Sequence, residues 1–339
     1  MITIDGSFGE GGGQILRTSL SLAAITGTEV RLENLRANRP KPGLMRQHLA
    51  CAKAVAEICG GELDGAELRS QTITLKPGMI RGGEYNFAIG SAGSTILLAQ
   101  TVLPVLLFAD APSTVVIEGG TYNDKAPAYD FFEEAYLPCL RKMGVEADVE
   151  MKRVGFYPAG GGRIELNVKP VRAWRRLSLV EHGNLQDALV TAVGSGLDES
   201  ILVDELQIFQ TGLEDMMDFW PDIGHVESAG PGNVLIATLR YENLTEVFSV
   251  CGSLGVSRKS VAKRVAGFVR QYLSRNWVVG QFLADQLMLP MALGAGGDYL
   301  TGRPTPHSET NRAVIQRFID VNINFKEEEN NNCIMEIEK

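Results

Sequence analysis

The chain has 339 residues, of which 45% are hydrophobic and 22% charged, and a formal net charge of −9. That is the make-up of an ordinary globular protein of about two domains, long enough to bury sizeable cores. The acid excess excludes a protein that coats nucleic acid nonspecifically, but not one that grips a nucleic-acid end through a local basic patch.

A short strand-like run, Ile2 to Asp5, leads into Gly9-Glu-Gly-Gly-Gly-Gln-Ile-Leu-Arg17, which opens an amphipathic stretch to Thr26. A glycine-rich turn between strand and helix lets backbone N–H groups approach an anion. Glu10 inside the turn and Arg17 one turn into the helix suggest polyphosphate with a divalent metal between carboxylate and phosphates. The two commonest nucleotide fingerprints are absent: position 14 is Gln, breaking G-x-G-x-x-G, and there is no G-x-x-x-x-G-K-[ST]. Thr28–Leu32 reads as a strand. Between Arg31 and Arg46 the basic residues Arg31, Arg36, Arg39, Lys41 and Arg46 face only Glu33, which supplies the local basic patch.

Pro42–Cys59 predicts a helix, with Pro42 in its first turn, an apolar stripe from Met45 to Cys59, and Gly60-Gly61 as the stop. Gln71–Leu75 is a strand, Gly90–Ala109 a turn and helix, Thr114–Glu118 a strand, and Ala128–Met143 a helix broken near Pro138. Ile164–Val168 is a further strand. The longest apolar run, Ile96–Ala109, is shorter than the ~20 residues a bilayer requires and holds Gln100 and Pro104, so it reads as a core helix and no membrane partner is expected. Nothing before Ile2 reads as a secretory leader. The cysteines, Cys51, Cys59, Cys139, Cys251 and Cys333, are odd in number and include no C-x-x-C, so free thiols in a reducing cytoplasm are expected.

Residues His182–Ser274 are more polar, with strand candidates Asn233–Tyr241 and Leu244–Val250 and a basic helix Ser257–Leu273. They read as a small inserted domain, leaving 1–181 and 275–339 as the larger one. A five-residue echo links Gln100-Thr-Val-Leu-Pro104 to Gln286-Leu-Met-Leu-Pro290, and Arg17-Thr-Ser-Leu-Ser21 fits the same frame with Ser for Pro. Taken as a repeat, it sets one polar residue at the same place in three units. Lys326–Asn332 reads as a solvated polar turn before a last edge strand, Cys333–Ile337. The alternation of strands and helices predicts an α/β or α+β fold of layered sheets and helices.

Of four histidines, His307 stands between a glycine-rich loop and a helix starting near Ser308, free to present a ring nitrogen as nucleophile, base or metal ligand. His48 lies beside an apolar stripe and reads as a partly buried helix histidine. No G-x-S-x-G and no paired His or Cys at zinc spacing occurs. An anion- and metal-binding turn, an arginine-rich patch and one histidine together point to phosphoryl or nucleotidyl transfer.

The Gly9–Arg17 turn, Arg36-Ala-Asn-Arg39-Pro-Lys-Pro-Gly-Leu-Met-Arg46-Gln47-His48, Ala88–Gly93, Gly155–Gly162, Leu283–Ala292 and the His307…Thr310-Asn311 element closely resemble the RNA 3′-terminal phosphate cyclase family. The likeness runs from Asp5 to the last helix. It implies a large domain of three repeated units, each a small sheet with two helices, plus a smaller α/β insert. It also implies conversion of an RNA 3′-phosphate to a 2′,3′-cyclic phosphate with ATP and Mg²⁺ or Mn²⁺, through a histidyl–AMP on His307 and an RNA-adenylate. Carried over by position, Gln100 and Phe282, Leu283, Ala284, Asp285 and Gln286 match ATP contacts, Pro127 and Phe131 lie near the adenine, Arg17, Arg39, Arg46 and Gln47 belong to the phosphate site, and Glu10 to the metal. Where relatives can have Tyr before Leu-Ala-Asp-Gln, Phe282 keeps the stacking face but loses a hydroxyl hydrogen bond. Family members tend to dimerise. A ribosome-assembly branch of the family lacks the nucleophilic histidine, which sets it apart from this chain, and an enolpyruvyl transferase, built on similar units, would not bind AMP covalently.

Overall fold

The computed structural model describes residues 1–328 and 331–339. Three units repeat one plan. The first runs β1 (Ile2–Asp5), α1 (Gly13–Thr26), β2 (Val30–Glu33), α2 (Arg46–Ile58), β3 (Glu62–Asp64) and β4 (Ile73–Lys76). The second runs β5 (Glu84–Ala88), α3 (Thr95–Leu106), β6 (Ser113–Gly119), a π-helix (Phe131–Tyr136) passing into α4 (Leu137–Lys142), β7 (Glu146–Arg153) and β8 (Gly162–Lys169). The third opens on β9 (Leu177–Leu179). The chain then leaves it for β10 (Leu185–Ser195), α5 (Glu199–Thr211), β11 (Trp220–His225), β12 (Gly232–Tyr241), β13 (Thr245–Cys251) and α6 (Arg258–Leu273). It returns with α7 (Gln281–Leu293), β14 (Gly297–Gly302), α8 (Pro306–Phe318), β15 (Asn322–Glu327) and β16 (Asn332–Glu338).

In each unit the first two strands pair in parallel across a helix, and the last strand folds back antiparallel to the second. The sheet orders β1-β2-β4-β3, β5-β6-β8-β7 and β9-β14-β16-β15 are therefore the same. The interrupting segment forms its own sheet, β11-β10-β12-β13. The architecture is the mixed α+β fold expected.

The equivalent helices α1, α3 and α7 open the three units, and α1 packs against α2, α3 and α8. Their apolar content drives this: nearly every residue of α3 is buried, and α7 buries Leu283 and Ala284 and then Leu287 through Leu293. Pro104 and Pro290 each withhold the amide that would meet the carbonyl of Gln100 and Gln286 one turn earlier. The echo seen in the sequence thus places Arg17, Gln100 and Gln286 at matching points of matching helices. The Ser21 hydroxyl, in the frame position of the prolines, donates to the carbonyl of Thr101 at 2.7 Å.

Two expectations are corrected. Pro42 does not start α2, which begins at Arg46. Gly43 adopts φ +77°, a left-handed turn incompatible with a helix there, and His48 Nδ1 instead accepts from the Met45 amide to close the helix start. The last strand is not an edge: β16 lies between β15 and β14, and β15 takes the rim. Part of the polar turn before it, at positions 329 and 330, lies outside the described residues. Among the described residues no helix is long and apolar enough to cross a membrane.

Candidate active site

The loop between β1 and α1 lies against the start of α8. Gly9 has φ +57°, and a β-carbon there would sit 2.2 Å from Thr310 Oγ1, so only glycine lets this backbone pass. The Glu10 amide donates to the same Thr310 hydroxyl at 3.1 Å. On α8, the Thr305 hydroxyl accepts from the Ser308 amide at 3.1 Å and Pro306 presets the first turn. This capped turn carries His307.

Three side chains meet there from distant parts of the sequence. His307 Nδ1 is 2.9 Å from Gln14 Oε1. The Gln14 amide nitrogen donates to both carboxylate oxygens of Asp285, at 3.1 and 3.2 Å. His307 Nε2 is 3.9 Å from Glu10 Oε1, beyond hydrogen-bond reach. Asn311 braces the group: its amide donates to the Asp285 carbonyl at 3.2 Å, and its oxygen accepts from the Thr18 hydroxyl at 3.0 Å. Burial pushes the Asp285 carboxyl up, against the Gln14 hydrogen bond and the pull of His307 and Arg17.

The basic patch closes the other side. Arg39 pairs with the Glu10 carboxylate and also donates to its carbonyl at 3.0 Å. Arg36 donates to the carbonyls of Lys41 and Gly43 at 2.7 and 2.8 Å, fixing the loop that carries Arg39. His48 is pushed down to about 3 by burial first and then by Arg36 and Arg17, so it stays neutral at physiological pH. Burial also lowers the Arg17 guanidinium below its usual value, although Cys51 and Asp285 pull the other way.

These groups line one end of a cleft of about 870 Å³. Across it, Gln100 donates to Gln286, and Phe282 meets Phe268 of α6 edge to face, ring centres 5.2 Å apart and planes at 89°. Pro127 and Phe131 also line the cleft. The segment between β9 and α7 supplies a wall through β13 and α6, with Arg264 and Phe268 on it.

Of the residues picked from the sequence, Glu10, Arg17, Arg39, Gln47, Gln100, Pro127, Phe131, Phe282, Asp285, Gln286 and His307 all line the cleft. Gln47 also accepts from the Ser94 amide at 3.1 Å, tying α2 to the start of α3. Three do not line it. Leu283 is wholly buried on the core face of α7, Ala284 is buried and its carbonyl accepts from the Tyr299 hydroxyl, and Arg46 donates to the Gly90 carbonyl at 2.5 Å. Sequence reasoning did not single out Gln14 as a site residue, although it sits inside the glycine motif. It also missed Arg264 and Phe268, for which the basic composition of α6 was the only available sign.

The RNA 3′-terminal phosphate cyclase family model matches residues 8–325. The chain belongs to this family. Two cyclase relatives agree along nearly the whole length. The RNA 3′-terminal phosphate cyclase of Koribacter versatilis is 42% identical over 330 residues, covering 97% of this chain and 93% of that one. That of Ralstonia nicotianae is 44% identical over 328 residues, covering 96% and 94%. Among solved structures, the enolpyruvyl transferase NikO from Streptomyces tendae aligns with a TM-score of 0.38 at 11% identity, covering 99% of this chain and 48% of that one.

In this cyclase-family cleft the donors suit a substrate-bridged cation. Among the described residues no group of three His, Cys, Asp or Glu side chains gathers to cage a metal. Of the carboxylates that line the cleft, Glu10, Asp124 and Asp285, only Glu10 lies in the glycine turn, and magnesium is commonly held by one or two carboxylates together with substrate phosphates.

Proposed function

We propose that this chain uses ATP to convert an RNA 3′-phosphate into a 2′,3′-cyclic phosphate, with His307 as the nucleophile. The observation that carries this reading is the setting of that imidazole: Nδ1 is engaged by Gln14, while Nε2 lies 3.9 Å from Glu10 Oε1, the oxygen that Arg39 pairs with. In the first step Nε2 attacks the α-phosphorus of ATP. A P–N bond forms, the bond to the bridging oxygen breaks, and pyrophosphate leaves. In the second, an oxygen of the RNA 3′-phosphate attacks the same phosphorus and the P–N bond breaks, freeing His307. In the third, the neighbouring 2′-hydroxyl attacks the 3′-phosphorus and AMP leaves, the hydroxyl proton passing to solvent.

Each step spreads negative charge over phosphate oxygens, which Arg17 and Arg39 on the cleft lining would offset. A divalent cation held by Glu10 and the phosphates would supply further charge neutralisation when bound. The last step is intramolecular and gains from proximity on one ribose. DNA lacks the hydroxyl and cannot cyclise. The apolar lining residues Pro127, Phe131, Phe282 and Phe268 suit a flat base. We take residues 182–274 as an inserted unit that completes this wall. The five free cysteines favour a reducing, cytoplasmic setting.

The test is incubation with α-labelled ATP and Mg²⁺ or Mn²⁺, followed by RNA bearing a 3′-phosphate. Acid-labile AMP should stay on the protein and map to position 307, and His307→Ala should retain none while remaining folded. Cyclic ends made by His307→Ala at the parent rate would refute the assignment.

A further inference from the structure

We infer that Asp285 and Gln14 form a positioning relay that fixes the tautomer of His307, holding the proton on Nδ1 and leaving the Nε2 lone pair free to attack. The inference rests on the proposed role of His307. It gives Asp285 a task different from direct nucleotide contact.

Donor and acceptor capacity sets how these three groups face one another. A carboxylate accepts only, so the Gln14 amide nitrogen, 3.1 and 3.2 Å from the two Asp285 oxygens, must be the group facing it. The Gln14 amide oxygen then points the other way, and it lies 2.9 Å from His307 Nδ1. An amide oxygen accepts only, so Nδ1 must carry the hydrogen. A neutral imidazole has one N–H, and Nε2 is therefore left with its lone pair. The acceptor character of one carboxylate is passed through a glutamine to an imidazole that the carboxylate does not touch.

The chain is held at each end. Asp285 is on α7, where its own carbonyl accepts from Asn311 on the same α8 that carries His307. Gln14 is in the first turn of α1. Glutamine suits this place because it is long enough to span the gap and has opposite hydrogen-bonding character at its two tips. The logic parallels the aspartate that orients a catalytic histidine in hydrolases, with one residue added between them.

Substitutions at these two positions, alone and combined, decide the matter. In Q14L the imidazole loses its orienting acceptor. In D285N the Gln14 amide is no longer forced to face one way. Nitrogen-15 NMR of histidine-labelled protein without nucleotide should show Nδ1 protonated and Nε2 bare in the parent, and a shift of the proton toward Nε2 in Q14L. Single-turnover self-adenylylation at saturating ATP should fall about 10- to 100-fold in Q14L and in D285N, as outer-shell partners commonly cost. The ATP Kd should change less than about twofold. The Q14L/D285N double variant should be no slower than the worse single, because both cut one chain. Q14E/D285N should recover much of the rate: the introduced carboxylate can only accept from Nδ1–H, and the introduced amide can donate to it.

A parent-like tautomer in Q14L, a defect confined to ATP affinity, additive losses in the double variant, or no recovery in Q14E/D285N would each overturn the relay. If the parent formed no histidyl–AMP at all, the proposed function would fail, while the NMR comparison would still judge the relay.

Discussion

Replacing Gly13 by alanine sets helix propensity against the site's packing. Gly13 is the first residue of α1, and a β-carbon there would lie 2.6 Å from His48 Nε2 and 2.9 Å from an Arg17 guanidinium nitrogen. Ordinary contact begins at 3.4 Å, so the imidazole must retreat by about 0.8 Å. His48 is tethered by its 3.2 Å bond from the Met45 amide, and moving that far stretches the bond past useful length. Loss of such a cap costs about 0.5–2 kcal/mol, and overpacking typically costs about 1–3 kcal/mol. Alanine's gain over glycine in a helix returns at most about 1 kcal/mol. The net expectation is a destabilisation of about 1–3 kcal/mol, read as a lower urea midpoint at constant slope. Because Arg17 is displaced as well, adenylylation should fall by about 10²-fold if the shift nears 1 Å. Gly267, exposed in the middle of α6 with no atom within 4 Å of its built β-carbon, is the control. There the same substitution should stabilise by about 0.5–1 kcal/mol. A Gly13→Ala protein as stable and active as the parent would refute the packing argument.

Arg39→Ala should cost about 1.5–3 kcal/mol of phosphate contact, roughly a tenfold to hundredfold loss in turnover on RNA ends, and parent-like rates would make the patch a bystander. Phe268→Ala removes the edge-to-face partner of Phe282 and should weaken ATP binding by about 0.5–1.5 kcal/mol, checked by calorimetry. Glu246, buried on β13 and accepting from the Gly280 amide at 2.7 Å, has its carboxyl raised to about 8 by burial. The unfolded chain releases that proton near pH 4.5 and the folded chain does not, so the folded state loses ground as pH rises from 4.5 to 8. Glu246→Gln keeps the acceptor, and should therefore be more stable than the parent at pH 8 and nearly equal to it at pH 4. Equal midpoints at both pH values would show that Glu246 ionises freely.

Much of the site was legible because its pieces are local. The strand, glycine turn and arginine of the first motif lie within seventeen residues of the start of the chain, and the repeated five-residue frame marked Arg17, Gln100 and Gln286, which the structure sets around one cleft. What was not legible depended on partners far away. Gln14 and Asp285 are 271 residues apart, and nothing near Gln14 in the sequence announces a carboxylate. Phe268 reads as one apolar position on a basic helix, and only the fold brings it to Phe282. Pro42 misled because a proline suits a helix start wherever the next residues permit one, and Gly43 does not. The last strand was misplaced because sequence order is not spatial order in a sheet whose third and fourth strands swap places.

Helices α1, α3 and α7 each give the cleft a polar side chain at the shared frame position, Arg17, Gln100 and Gln286, and α8, the last helix, gives the histidine. No single unit lines the cleft by itself, because its walls are drawn from all three. The same geometry acts within each molecule's lifetime: a ribosome that has made two units has left the cleft open on one side, and the lining is complete only when the final helix closes on the first.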